Sequence, residues 1–261
     1  MVPGFANRIS ARIAPHGPLD LLRQVALFAF AYYLYRLTRG AVDGRATLAF
    51  ENARSVISVE RSLHVFIEPS VQQWASGWGF VTDAASWVYI NAQTSVTLGG
   101  LAFLYLFRNR SFYFVRNMFG VAFLVAIVGY VLVPTAPPRF MPEWGFEDTL
   151  SIYTGIPQDN VAVNALFNPY AAIPSMHVAF ALMIGWPLAY LVRPRPLKVF
   201  WAIYPFIVTF VIVVTANHFL ADAFLGACTA GVGALAARAM ARARPEAWRF
   251  LPQRQQAEAT A

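Results

Sequence analysis

Six long apolar runs constrain this chain more than any other feature. Crossing a hydrocarbon core about 30 Å thick takes about 20 mostly apolar residues of helix. Runs of that kind fall at residues 20–38, 81–107, 112–134, 175–193, 197–216 and 218–240. A lipid-exposed segment must satisfy its own backbone polar groups, so each run is expected to be an α-helix. The expected fold is all-α integral membrane, a six-transmembrane helix bundle. Composition agrees: 58% of the 261 residues are hydrophobic, 13% are charged and mean hydropathy is +0.50, whereas soluble domains average about 25% charged residues. The first run is too long and too far from the N-terminus for a typical signal peptide and is read as a span.

A net charge of +7 would suggest nucleic acid in a soluble protein. Here the basic residues fall in short segments between the apolar runs and act as membrane anchors, so no nucleic-acid partner is expected. Arg8 and Arg12 precede the first run, Arg108 and Arg110 separate the second from the third, and Arg193, Arg195 and Lys198 separate the fourth from the fifth. Arg238, Arg242, Arg244, Arg249 and Arg254 follow the sixth. All four groups lie on one side, read as the cytoplasm, with both termini there. Residues 135–173 lie on the other side and carry Arg139 against Glu143, Glu147, Asp148 and Asp159. This is an outer loop before the fourth span, and its prolines and length suit a lid or a substrate rim. The expected organisation is one membrane catalytic domain, 1–244, and a polar cytoplasmic tail, 245–261. The lone Cys228 forms no disulfide and reads as a small helix-packing residue.

Between the first two runs, residues 41–78 read as an amphipathic helix along the outer interface. Ala49, Ala53, Val56, Ile57, Leu63, Val65 and Ile67 form its apolar stripe, and Glu51, Arg54, Ser55, Ser58, Arg61 and Ser62 its polar one. Glu60 and His64, four residues apart on the apolar side, read as a local ion pair or hydrogen bond.

Charged residues within a span cost about 2.5–3.5 kcal/mol each, so those retained there are candidates for function. Ser175 and His177 lie in the first turn of the fourth run, and His218 and Asp222 in the first turns of the sixth. Both runs start from the outer side, where Arg139 also lies. His218 and Asp222 are spaced to meet on one helix face, the carboxylate holding one imidazole nitrogen and leaving the other for attack. The helix start at Ser175 can receive a phosphate oxygen, Arg139 can clamp it, and His177 can donate a proton to a leaving oxygen. Two alternatives use the same residues or others. Two histidines and a carboxylate can form a metal triad, and Asn91, Gln93, Thr94 and Ser95 in the second run can line a transport pathway. The simpler reading of those four is hydrogen bonding between helices.

"IPSMH", then "NHFLAD" with its histidine 41 positions after His177, and "PTAPPRF" upstream resemble the type 2 phosphatidic acid phosphatase superfamily of membrane lipid phosphatases. The arrangement is most similar to the branch containing inositol phosphorylceramide synthase. The resemblance implies catalytic residues His218 as nucleophile, His177 as general acid and Asp222 as orienter. It implies Arg139 and Ser175 as phosphate binders, with no metal and no cofactor. Met176 stands where the superfamily has glycine, Leu132 and Phe140 where it has lysine and proline, and Val211-Ile212 where it has Ser-Arg. Two phosphate-binding cations are therefore missing, which suits a phosphodiester better than a doubly charged monoester. Asn217, Tyr170 and Asn164 are candidate replacement donors. The expected substrate is a lipid-linked phosphate among the membrane lipids. The expected activity is hydrolysis, or transfer of a phospho-head group to a lipid alcohol.

Overall fold

The structure, a computed structural model, describes residues 14, 16–40, 45–157, 170–245 and 248. Arg8, Arg12, Asp159, Asn164, Arg249, Arg254 and most of the 245–261 tail lie outside the described residues. Those described are mostly helical and contain no β-strand, only an isolated bridge between Thr135 and Ala171. In chain order the helices are α1 (Pro18–Gly40), α2 (Ala46–Ser62), α3 (Glu68–Ser76), α4 (Gly79–Trp87), α5 (Gln93–Phe107) and α6 (Asn109–Leu132). They continue as α7 (Thr149–Thr154), α8 (Met176–Leu191), α9 (Arg195–Val214) and α10 (Leu220–Ala243). A π-helical turn, Val88–Ala92, joins α4 to α5 in one continuous rod.

Among the described residues, four stretches are long and apolar enough to cross a membrane: Gly79–Phe107, Asn109–Leu132, Arg195–Val214 and Leu220–Ala243. The fourth apolar run forms the 16-residue α8, shorter than expected. Ser175 caps it in an extended conformation, and Pro194 biases the chain before it away from helix. Large apolar side chains face outward all around the bundle, including Tyr190, Phe206, Phe224 and Leu235. A surface of this kind is suited to lipid.

In lipid, apolar area gives little drive for helix association, so close packing has to hold the bundle together. The buried face of α10 shows how. Gly226, Ala230, Gly233 and Ala237 recur at helical spacing, and α10 comes so close to its neighbours that a Cβ on Gly233 would stand 2.8 Å from the Met118 carbonyl oxygen. The main core lies between α5, α6, α8 and α10, around Leu104, Tyr113, Phe119, Met183 and Ile184. α1 is tied to it through buried Asp20, which accepts from the Tyr113 hydroxyl at 2.6 Å, the Tyr105 hydroxyl at 3.3 Å and Gln24 at 3.0 Å.

Residues 41–78 are not one helix. His64 adopts φ 59° and ends α2, and α3 restarts with Pro69 in its first turn, a position where proline loses no hydrogen bond. The buried stripe of α2 is Ala49, Ala53, Ile57 and Glu60, while Leu63, Val65 and Ile67 are exposed in the connection. Glu60 and His64 do not pair: His64 is exposed and Glu60 is buried against α10. Cys228 is exposed rather than packed between helices.

α2 and the loop after α6 build an apolar layer over one end of the bundle. Ala49, Ala53, Ile57, Ala136, Met141, Phe146, Ala216 and Phe219 are buried in it, with Phe50, Phe66, Trp144 and Tyr170 at its margin. Backbone bonds from Ala136 to Ala49, from Thr135 to Tyr170 and from Arg139 to Ala216 hold the loop down at 2.8–3.0 Å.

Candidate active site

The candidate site lies under this layer, where α9 ends and α8 and α10 begin. α9 closes with Ala216 at φ 49°, the left-handed conformation that commonly terminates a helix. The amides of Asn217 and His218 both turn back to the Ile212 carbonyl, at 3.0 and 3.3 Å. His218 therefore precedes α10 instead of lying in its first turn, because Phe219 is the N-cap and Leu220 the first helical residue. The four-residue spacing still brings the pair together: His218 Nδ1 is 3.2 Å from Asp222 Oδ2. The same oxygen accepts the Phe219 amide at 3.0 Å. Both side chains are buried, and Nε2 is the ring nitrogen turned away from the carboxylate.

Ser175 meets the same turn from α8. Its amide donates to the Asp222 carbonyl at 3.0 Å, so that particular N–H is not available to a phosphate. Its hydroxyl is fully buried with no partner among the described residues. A Cβ on Gly226 would come within 2.2 Å of the Ser175 carbonyl oxygen; only glycine permits this approach of α8 to α10. Met176 and His177 open α8, half-buried. The His177 and His218 rings lie 5.4 Å apart between centroids.

Arg139 enters from the loop, fixed by its amide bond to Ala216 and by an Nη1 bond to Asn217 Oδ1. Its Nε is buried without a partner. Burial lowers the guanidinium's affinity for its proton, opposed by Tyr89 and Asp148. Asn217 is not a free replacement donor, since its amide group donates to the Thr215 carbonyl at 3.1 Å and hydroxyl at 2.8 Å. Its side-chain oxygen accepts from Arg139. Tyr170 packs edge-on against Phe50, with ring centroids 6.3 Å apart, in the overlying layer. His177, His218, Asp222, Ser175, Asn217 and Arg139 thus come together, and Tyr170 stands with the cover. Among the described residues no three His, Cys, Asp or Glu side chains gather as metal ligands.

Sequence reading passed over Tyr89. Its ring stacks on His177 at 4.5 Å and 15°, presented by the π-helical turn Val88–Ala92. Such turns mark functional positions more often than chance, but no periodicity in this run distinguishes it from ordinary helix. Gln93 reaches the Met176 carbonyl at 3.5 Å, whereas Asn91 bonds within its own helix at 3.0 Å.

Residues 54–236 match the family model of the PAP2 superfamily, over two-thirds of the chain and across Tyr89, Arg139, Ser175, His177, Asn217, His218 and Asp222. The chain belongs to the PAP2 superfamily. Comparison with curated proteins and with solved structures finds no match. PAP2 membership points to a phosphatase acting on lipid phosphates in a membrane. Within this PAP2 protein, the two positions lacking the superfamily's cations are apolar in different ways. Leu132 is exposed at the end of α6, and Ile212 is fully buried beneath the His218 turn.

Proposed function

We propose that this PAP2 protein cleaves a lipid-linked phosphate ester through a phosphohistidine on His218 and can pass the phosphoryl-linked group to a lipid alcohol. The observation that carries the reading is the convergence of the two histidines with the His218–Asp222 pair and Arg139 under one cover. His218 Nε2 attacks phosphorus, the bond from phosphorus to the leaving oxygen breaks, and His177 gives that oxygen a proton. Asp222 supports the charge on the imidazole, while Arg139 and the Ser175 hydroxyl hold non-bridging oxygens. In the second half, a water or alcohol hydroxyl attacks phosphorus, gives its proton to His177 and releases Nε2. No step requires a metal ion.

Transfer is favoured by the surroundings. A site without cations at 132 and 212 suits a singly charged diester, the substrate class of the inositol phosphorylceramide synthase-like branch. The aromatic cover of Phe50, Phe66, Trp144, Phe146 and Tyr170 limits water, although Tyr153 faces outward. Simple hydrolysis of a lipid phosphate or polyprenyl diphosphate is the second reading, supported by family membership.

The same reading takes six spans, with α1 and α8 completing the four long ones, α2 along the interface, both termini cytoplasmic and the site facing outward. The membrane domain then covers 1–244. Purified protein is tested against phosphatidate, polyprenyl diphosphate and phosphatidylinositol, in excess chelator, with increasing lipid alcohol. Transfer requires a new labelled lipid to rise as free product falls; water as sole acceptor leaves the phosphatase reading. His218→Ala must lose turnover and any acid-labile phosphoryl-enzyme, and an active variant overturns the mechanism.

A further inference from the structure

The start of α10 has an unusual capping problem. Its N-cap is Phe219, which offers no side-chain acceptor for the first-turn amides that Ser, Thr, Asp or Asn would take. Three carboxyls take them instead. Asp222 accepts the Phe219 amide from within the helix. Glu68, from α3, accepts the Leu220 amide at 2.8 Å, and Glu60, from α2, accepts the Ala221 amide at 2.7 Å. Glu60 and Glu68 are 2% and 0% exposed, contacts made across 161 and 152 residues of chain.

Acids at a helix N-terminus are favourable, but three together under a phosphate site are not. Asp222 needs its charge for His218. The second oxygens of Glu60 and Glu68 meet no donor, and an ionised carboxylate can only accept. One proton between the two carboxyls supplies the missing donor and removes one negative charge. No cation among the described residues is placed to do so. Neither glutamate forms an ion pair with a Lys, Arg or His among the described residues. The charged groups acting on Glu60 are Glu68 from α3 and Asp222 from α10. On the loop side, Arg139 is held by Asn217, Asp148 by Ser151 at 2.6 Å, and Glu147 is exposed. Arg61 lies over Trp144, and His218 is bound to Asp222.

We propose that Glu60 and Glu68 are positioning residues, a proton-sharing carboxyl pair that caps α10 and holds His218 and Asp222 in place. The proposal rests on the reading of His218 as nucleophile. Burial, then the Glu68 charge and a side-chain hydrogen bond with Glu68, and last the Asp222 charge, push the Glu60 carboxyl up to about 8 from 4.5, against the Ala221 hydrogen bond. The folded protein therefore holds a proton that the unfolded chain releases. Its contribution to stability is complete below pH 4.5 and is lost as pH rises towards about 8.

The full-length protein in detergent is compared with Glu60→Gln and Glu60→Ala. Glutamine keeps an acceptor for Ala221 and a donor for Glu68, fixing the pair in its singly protonated pattern; alanine removes both. Near pH 7, Glu60→Gln is expected to keep kcat within about threefold of wild type, and Glu60→Ala to lose about tenfold or more in kcat with KM little changed, as expected for loss of alignment at the chemical step. Without substrate, the wild-type thermal midpoint should fall between pH 5 and 8 and the Glu60→Gln midpoint should fall less. Equal damage from glutamine and alanine, or parallel midpoints across that range, overturns the proposal. The thermal measurement needs no turnover, so it also decides the shared proton if Glu60→Ala does not fold. Wild type inert towards every lipid phosphate would instead overturn the functional reading on which the positioning role depends.

Discussion

Asp222→Asn is the most informative single change in the site. Asp222 Oδ2 accepts two bonds, from His218 Nδ1 at 3.2 Å and the Phe219 amide at 3.0 Å, while Oδ1 is buried without a partner. Asparagine can put its oxygen at the Oδ2 position and keep both bonds, exchanging one unpartnered atom for another. What changes is the charge. A hydrogen bond to a charged acceptor contributes about 1.5–3 kcal/mol and a neutral one about 0.5–1.5, so each bond weakens by about 1–1.5 kcal/mol. A further weakening of that size in the His218 bond as the imidazole gains positive charge in the transition state corresponds to about a tenfold slower reaction. The loss grows as that charge develops, and amidating the carboxylate behind a catalytic histidine has cost about 10⁴-fold in a serine protease. A fall in kcat between these limits is expected, with KM within about threefold, because in the proposed mechanism the carboxylate acts on His218 and not on the substrate. The assay is steady-state phosphate release in micelles, paired with quench trapping of the phosphoryl-enzyme. A tenfold rise in KM with unchanged kcat would refute the reasoning, placing Asp222 on the substrate.

His177→Ala should slow turnover of alkyl esters by about 10²-fold or more yet spare formation of the covalent intermediate from nitrophenyl esters, whose leaving group needs little proton donation; equal losses on both argue against an acid role. Gly226→Ala should destabilise the protein by about 1–3 kcal/mol, because the new Cβ would meet the Ser175 carbonyl oxygen at 2.2 Å. Thermal unfolding reads this, and an unchanged midpoint means that α8 moves freely against α10. In a Cys228→Ser background, Glu143→Cys should react with a membrane-impermeant thiol label on intact cells. Labelling only after permeabilisation reverses the proposed orientation.

The membrane class, the course of the long helices and the grouping of chemical side chains near one end follow from the sequence by itself, since apolar length and four-residue spacing are local properties. The His218–Asp222 contact belongs with them: it forms although His218 lies ahead of the helix. Tertiary structure decides the rest. Periodicity within residues 41–78 does not mark His64 as the break in the helix; the left-handed turn there, at φ 59°, separates α2 from α3 and lets Glu60 and Glu68 both reach the start of α10. Asn217 reads as a free donor until Thr215 and Arg139 are seen to occupy both ends of its amide. Glu60 reads as a partner for His64, four residues away, but its hydrogen bond is to Ala221, 161 residues on. A buried carboxyl takes whichever donor the packed helices bring to it, and in lipid that packing depends on close approaches such as Gly226 against Ser175. Periodicity along one helix identifies a buried face but does not identify what is buried against it.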